Sequence, residues 1–312
     1  MGVFAKRTHD IVALGRCFLQ NEKNENIAKD VFDFCVDKNI MPYNEKTKTG
    51  LIRHIMVRSG YKTGEVMVIL ILKNSKLPHE VELVKLLTCK YPQIKTIVKN
   101  INEKDTNVIL GRQNEVLYGN GYIYDKLGKY TFKISPLSFY QVNPIQTEVL
   151  YNAAINAADL TGKENIFDLY CGIGTIGIFA SEKAKQVYGI EVVEQAIEDA
   201  KENASINNLQ NTNFMVGEVE KILPELAQKH QADVVFIDPP RKGSDAKTLE
   251  TILQIEPKKI IYISCNPATL ARDVEILEEK YNLEQVQPVD MFPYTSHVEC
   301  CALMGRKEEK YS

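Results

Sequence analysis

The sequence predicts an α/β protein: a doubly wound, mostly parallel sheet preceded by a small α+β domain. Three observations carry this expectation. After about residue 140, strand-length apolar runs alternate with helical patterns, the rhythm of parallel strands joined by crossover helices. The segment DLYCGIGTIG (168–177) follows an apolar run and opens a helical one. The last two strand-like runs, 283–291 and 298–305, follow each other with no helix between them, which predicts a terminal antiparallel pair.

In chain order, 27–38 has amphipathic helical spacing. Runs 51–58 and 65–72 read as strands joined by a turn containing Gly60 and Gly64. A helix over 80–90 and a strand over 94–101 complete a small α+β domain, 1–125, expected to bind RNA. The Gly- and Tyr-rich stretch 119–128 reads as its junction with a catalytic domain, 126–312. There, Asn143-Pro144 is a capping residue followed by proline at the first helical position. Strands are expected at 165–169, 186–190, 212–216, 233–237 and 259–264, with helices at 175–184, 193–207, 218–228, 245–254 and 267–280.

Hydrophobic residues make up 44% of the 312-residue chain and charged residues 25%, a globular balance. The longest apolar run, 66–72, is strand-sized, and the N-terminus lacks the apolar core of a signal peptide, so a cytoplasmic protein is expected. The seven cysteines include no CxxC spacing, which argues against a disulfide framework or a zinc site. The net charge of −3 divides unevenly: 19 Lys+Arg against 14 Asp+Glu over 1–125, and 19 against 27 over 126–312. A basic half is able to supply phosphate contacts, although +5 over that length is also ordinary surface variation.

Four positions stand at strand ends, where open α/β sheets bind ligands. Gly172 and Gly174 allow a tight turn and close backbone approach. Glu191 ends the next strand and is placed to accept both hydroxyls of a ribose. The spacing of Gly172, Gly174 and Gly177 departs from the three-glycine dinucleotide fingerprint, which favours S-adenosylmethionine over NAD. Asp238 heads a rigid DPPR loop after the fourth strand. Cys265 follows the fifth, just before a proline-started helix whose positive end favours thiolate. A free cysteine is more often a small buried hydrophobe, and position argues against that here. Glu299, flanked by Val298 and Cys300, reads as a desolvated carboxylate suited to act as a base. His297 reads as an orienting or packing residue.

Together the strings SFYQVNP (138–144), DLYCGIGTIG (168–177), DPPRKG (238–243), YISCNPATLARD (262–273) and DMFPYTSHVE (290–299) resemble the bacterial RNA uracil-C5 methyltransferases. The 23S ribosomal RNA branch is the most similar, with a looser match through TGLIRHIMVR and TGEVMV in the N-terminal half. The resemblance implies a class I methyltransferase fold, S-adenosylmethionine as cofactor, and a uridine in a single-stranded or loop region of 23S ribosomal RNA as substrate. It implies that Gln141, Tyr170, Glu191 and Asp238 bind the cofactor, with Thr175 and Glu218 as further candidates. It implies Cys265 as the nucleophile and Glu299 as acceptor of the carbon 5 proton. Relatives carry an N-terminal RNA-binding barrel and a four-cysteine iron–sulfur cluster. Only Cys17, in RCFLQ (16–20), matches a cluster cysteine, so no cluster and no other metal is expected in this chain, which is expected to act as a monomer.

Two alternatives stay open on the residues alone. Asp238-Pro239-Pro240 resembles the loop with which amino-group methyltransferases hold an exocyclic amine, but Arg241 stands where those loops carry an aromatic residue. A non-catalytic RNA-binding factor is the other.

Overall fold

The computed structural model describes all residues except 1, 6–7, 9–10, 14–16, 18–19, 106–107 and 309–312. The chain divides into two compact units, residues 1–126 with 133–137, and 127–132 with 138–312.

In the first unit, β1 (Gly2–Phe4) and β2 (Ile11–Ala13) form an antiparallel pair. The helix α1 (Glu22–Asp37) starts earlier than its apolar spacing suggests, because Asn21 caps it by accepting the Lys23 N–H at 2.9 Å. Strands β3 (Ile52–Ser59) and β4 (Val66–Leu72), helix α2 (Glu80–Lys90), and strands β5 (Ile94–Ile101) and β6 (Gln113–Gly119) follow. The sheet order is β3-β4-β5-β6, with β4 and β5 parallel. Every residue of β4 is buried, as a continuous apolar run requires. Sequence periodicity misses β6, whose polar, largely exposed residues carry only a weak alternation. The stretch read as a junction is a hairpin of β7 (Ile123–Leu127) and β8 (Tyr130–Ile134), within which the chain leaves the first unit and returns to it.

The second unit alternates as expected. After α3 (Pro144–Ala158) come β9 (Asn165–Leu169), α4 (Thr175–Ser181), β10 (Gln186–Glu191), α5 (Glu194–Ile206) and β11 (Thr212–Val216). Then come α6 (Val219–Lys229), β12 (Val234–Ile237), α7 (Ala246–Ile255), β13 (Lys259–Ser264), α8 (Pro267–Leu277), β14 (Tyr281–Val289) and β15 (Glu299–Arg306). Helix α8 stops short of 280, because the buried Tyr281 already belongs to β14 and donates its hydroxyl to the Pro257 carbonyl at 2.8 Å.

The sheet order is β11-β10-β9-β12-β13-β15-β14, parallel except for β15, which runs antiparallel to both its neighbours. Alternate residues of each central strand enter opposite cores: Ile166, Phe236 and Ile261 on one face, Phe167, Val235 and Tyr262 on the other. From β9 the chain winds outward to β10 and β11, then restarts on the other side at β12. The order therefore reverses between β9 and β12, and a crevice opens at their carboxyl ends. Because β15 is antiparallel, its first residue, Glu299, reaches the same rim as the last residues of β9, β10, β12 and β13. Among the described residues no helix is long and apolar enough to cross a membrane.

Candidate active site

Strand β9 ends in a turn built on left-handed residues: Tyr170 at φ 63°, Gly172 at 54° and Gly174 at 80°. At Gly174 a Cβ would stand 2.8 Å from the Phe214 ring, whereas at Gly172 it would point into open space. The Gly172 N–H donates to Glu191 Oε2 at 3.2 Å, and the Val193 N–H donates to Oε1 at 2.9 Å. Those bonds fix the carboxylate at the tip of β10 and leave each oxygen a second lone pair. The Tyr170 hydroxyl lies 3.2 Å from Ser244 Oγ, in the loop after β12. Beneath the turn, the wholly buried Asp168 accepts the Gly177 N–H at 2.8 Å through Oδ2, while its Oδ1 is buried without a hydrogen-bond partner.

On the other side of the switch point, the β13–β15 ladder pairs Ser264 with Cys300. One further step in that register sets Cys265 opposite Glu299. Asn266 caps α8 by accepting the Ala268 N–H at 3.1 Å, and its own N–H donates to Ser264 Oγ at 3.1 Å. Cys265 is thereby held at a strand-to-helix corner, half-buried.

The charges around this corner act on one another. Burial, then the Glu299 and Asp168 carboxylates, push Asp238 up to about 8. Burial, with the Glu191 carboxylate adding and the Gly177 N–H opposing, pushes Asp168 up to about 7. Burial raises Glu299, which is 5% exposed, and Arg241 opposes this. Cys265 is raised first by burial and then by Glu299, with Asp238 adding and Arg241 opposing. Burial and then the nearby carboxylates thus raise the thiol, against the tilt toward thiolate expected from α8.

Gln141 and Thr175 line one cleft, and Thr175 Oγ1 lies 3.1 Å from the Tyr151 hydroxyl. Glu218 leads into α6 and is exposed. Its carboxylate pairs with Lys221 at 2.5 Å, although the Gly217 N–H, donating to the Glu191 carbonyl at 2.9 Å, keeps it near the rim. His297 is exposed, with its ring edge-on to Phe292 at 6.3 Å. Cys17 is half-buried, its N–H donating to Glu25 at 2.8 Å, while Arg16, Phe18 and Leu19 lie outside the described residues. Among the described residues no group of three or more His, Cys, Asp or Glu is placed to hold a metal ion.

Three residues of the site escaped the sequence reading. Arg241 opposes the pKa rise of both Cys265 and Glu299, and its signal was its place in DPPRKG. Tyr151 lies mid-helix in an apolar stretch that gave no signal. Its phenol is raised by burial and by Asp238. Asp273, wholly buried on α8, accepts the Ser244 N–H at 2.8 Å and the Tyr262 hydroxyl at 2.5 Å. It also pairs with Arg272, which donates to the Lys242 carbonyl at 3.0 Å, so it pins the loop that carries Asp238 and Arg241.

An adenosyl group with a cationic sulfonium fits these residues: vacant lone pairs on Glu191, open space over Gly172, and an unpartnered buried carboxylate oxygen on Asp168. The family model described as tRNA (Uracil-5-)-methyltransferase matches residues 93–307. An "Uncharacterized RNA methyltransferase" of Bacillus cereus is 48% identical over 310 residues, 99% of this chain and 67% of that protein. One from Clostridium tetani is 51% identical over 306 residues, 97% of this chain and 66% of that protein. The chain thus spans about two thirds of the length of these curated relatives. The crystal structure of Pyrococcus abyssi tRNA (uracil-54, C5)-methyltransferase in complex with S-adenosyl-L-homocysteine is similar with a TM-score of 0.78 and 30% identity. That match covers 95% of this chain and 70% of the other.

Proposed function

Since the chain belongs to the tRNA (uracil-5-)-methyltransferase family, and so is an RNA methyltransferase with S-adenosylmethionine as cofactor, we propose that it methylates carbon 5 of a uridine through a covalent bond from Cys265. The observation that carries this reading is the antiparallel step that sets Cys265 beside Glu299 at the crevice rim, where the Glu299 carboxylate acts on both Cys265 and Asp238. A nucleophile and a proton acceptor on one edge of the pyrimidine are what the reaction needs, because carbon 5 of uracil is too weak a nucleophile unaided.

The cofactor, when bound, supplies an electrophilic methyl group. Gln141, Gly172, Glu191 and Asp238 hold it, with Tyr170, Thr175 and Glu218 completing its surroundings. Cys265 Sγ, after losing its thiol proton to solvent, adds as thiolate to carbon 6 and makes an enolate nucleophilic at carbon 5. After carbon 5 gains its methyl group, Glu299 removes the carbon 5 proton, the carbon 6–sulfur bond breaks, and the thiolate leaves. A carboxylate with a raised pKa is a better proton acceptor than an ordinary one. The target base must leave its stack to reach the crevice, so a single-stranded or loop uridine is the substrate. We favour 23S ribosomal RNA from the resemblance in the motifs, modified in the cytoplasm by a single chain. Mapping 5-methyluridine in total RNA with and without the gene distinguishes it from transfer RNA.

RNA carrying 5-fluorouridine tests the covalent step, because fluorine does not leave as a cation. The wild-type chain should methylate it and stay bonded to it through Cys265. Glu299→Gln should accumulate a methylated adduct even on ordinary RNA, and Cys265→Ala should form neither adduct nor product. The readout is a denaturing gel with mass spectrometry of the linked peptide, at high RNA concentration and low salt. Product from Cys265→Ala, or a crosslink at another cysteine, sinks the mechanism.

A further inference from the structure

Helix α5 meets the glycine turn through small apolar side chains: a Cβ at Gly174 would stand 3.2 Å from that of Ala200. Beside this seam, Asp199, Asn203 and Asn207 recur four residues apart, which sets them along one flank of the helix. Asp199 and Asn203 are wholly buried. Asp199 accepts the Ser138 hydroxyl through Oδ2. Asn203 donates from Nδ2 to the Ile173 carbonyl at 3.2 Å. Asn207 donates from Nδ2 to the Thr131 carbonyl at 2.7 Å and accepts the Thr131 N–H at 2.9 Å through Oδ1.

Burying a carboxyl and an amide on a helix face costs free energy that alanine or leucine there would not cost. Ala196, Ile197, Ala200 and Ala204 show that α5 already packs with such residues. What the polar pair adds is direction: each bond holds one loop at one place. Ser138 lies three residues before Gln141, and Ile173 lies between Gly172 and Gly174. Gln141 shares a cleft with Thr175, the residue that follows the same turn. The loops that Asp199 and Asn203 hold are therefore the two that carry Gln141 and Gly172, whereas Asn207 holds β8.

We propose that Asp199 and Asn203 are positioning residues: one turn apart on a single helix, they hold the Gln141 loop and the glycine turn at a fixed separation and so set the affinity for S-adenosylmethionine. The inference rests on the reading of Gln141 and Gly172 as cofactor contacts. Two walls held in register before binding lose less freedom when they close on a ligand. Cutting either tie therefore weakens binding although no residue that touches the cofactor has changed.

Titration calorimetry of the full chain with S-adenosylmethionine tests it, alongside the thermal midpoint of each variant. Asp199→Ala and Asn203→Ala should each weaken binding about 3- to 30-fold. Asp199→Asn still offers an oxygen to the Ser138 hydroxyl and should bind like wild type. In a Gln141→Ala background, Asp199→Ala should cost nothing further, because the loop it holds has lost its contact. Asn203→Ala should cost the same factor in both backgrounds, because it acts on the other loop. Asn207→Ala is the control: it cuts the same kind of bond on the same flank, so it should lower the midpoint and leave affinity near wild type. A general loss of fold would instead weaken all three variants, equally in both backgrounds. If Asp199→Ala does not fold, Ser138→Ala removes the donor of the same bond and is read in its place. Wild-type affinity in either alanine variant overturns the proposal, as does an undiminished Asp199 effect beside Gln141→Ala, or an asparagine variant as weak as alanine. Asn207→Ala as weak as Asp199→Ala overturns it too. Failure of the cofactor reading shows separately, as wild-type affinity in Gln141→Ala alone.

Discussion

At the residue scale, Cys265 feels charges of both signs: Glu299 and Asp238 raise its pKa, and Arg241 opposes them, on top of the rise that burial causes. Its resting form at neutral pH is therefore the thiol, and a small change in the local field alters the thiolate fraction in proportion. Burial and then Glu299 also raise Cys300, which is buried, so iodoacetamide alkylation at pH 7.5 is read on the peptide that carries Cys265. Arg241→Ala removes a cation and should slow Cys265 modification by about 3- to 10-fold. Glu299→Gln removes an anion and should speed it by a similar factor, since one pKa unit is about tenfold in thiolate. The opposite order, or no change, would show that the charges act elsewhere. The sequence made Cys265 and Glu299 legible through their flanking strings. It gave the wrong sign for the thiol, because a helix end is visible in sequence whereas a carboxylate 34 residues away along the chain is not.

At the scale of elements, the turn from β9 into α4 separates two demands that both fall on glycine. Gly174 is packed against Phe214 and Ala200, and Gly172 faces open space. Both are left-handed, a strain of roughly 1–2 kcal/mol for any other residue. Gly174→Ala adds a steric clash to that strain, so it should lower the thermal midpoint by several degrees or more. Gly172→Ala should cost less stability but place a methyl group where the cofactor approaches, so calorimetry should show the larger loss of S-adenosylmethionine affinity there. Equal effects of the two on affinity and on melting would remove the distinction between a packing glycine and a ligand-facing one. Strands β9, β10, β12 and β13 were legible because buried parallel strands are largely apolar runs. Strand β6 was not, because a largely exposed polar strand has no such run and takes its shape from its partner, and β7 and β8 carry only short alternations beside glycines.

At the scale of the whole molecule, the crevice gathers carboxyl groups whose burial favours the protonated form. Asp168 and Asp238 sit at about 7 and about 8, against an ordinary 3.8. A carboxyl whose pKa is higher folded than unfolded stabilises the fold fully below its unfolded value. It loses that contribution as pH rises through the folded value. Without cofactor, the thermal midpoint should therefore fall as pH is raised from about 5 to about 8. Asp168→Asn should flatten that slope, and Asp238→Asn should do so to a smaller extent because its side chain keeps some access to water. A midpoint that rises over this interval in scanning calorimetry would mean that the two carboxyls stay ionised. The sequence by itself determined the doubly wound sheet, the glycine turn, and the identities of Glu191, Asp238, Cys265 and Glu299, because apolar period and short-range motifs are properties of neighbouring residues. The absence of a helix between the last two strands already predicted their antiparallel pairing, and only the tertiary structure decided that β15 inserts between β13 and β14, which turns the start of the last strand toward the carboxyl ends of the others. It also decided that Arg241, Tyr151 and Asp273 join the site. Strand order and through-space charge depend on which segments pack together, and that is settled by the burial of whole faces rather than by any local run of residues.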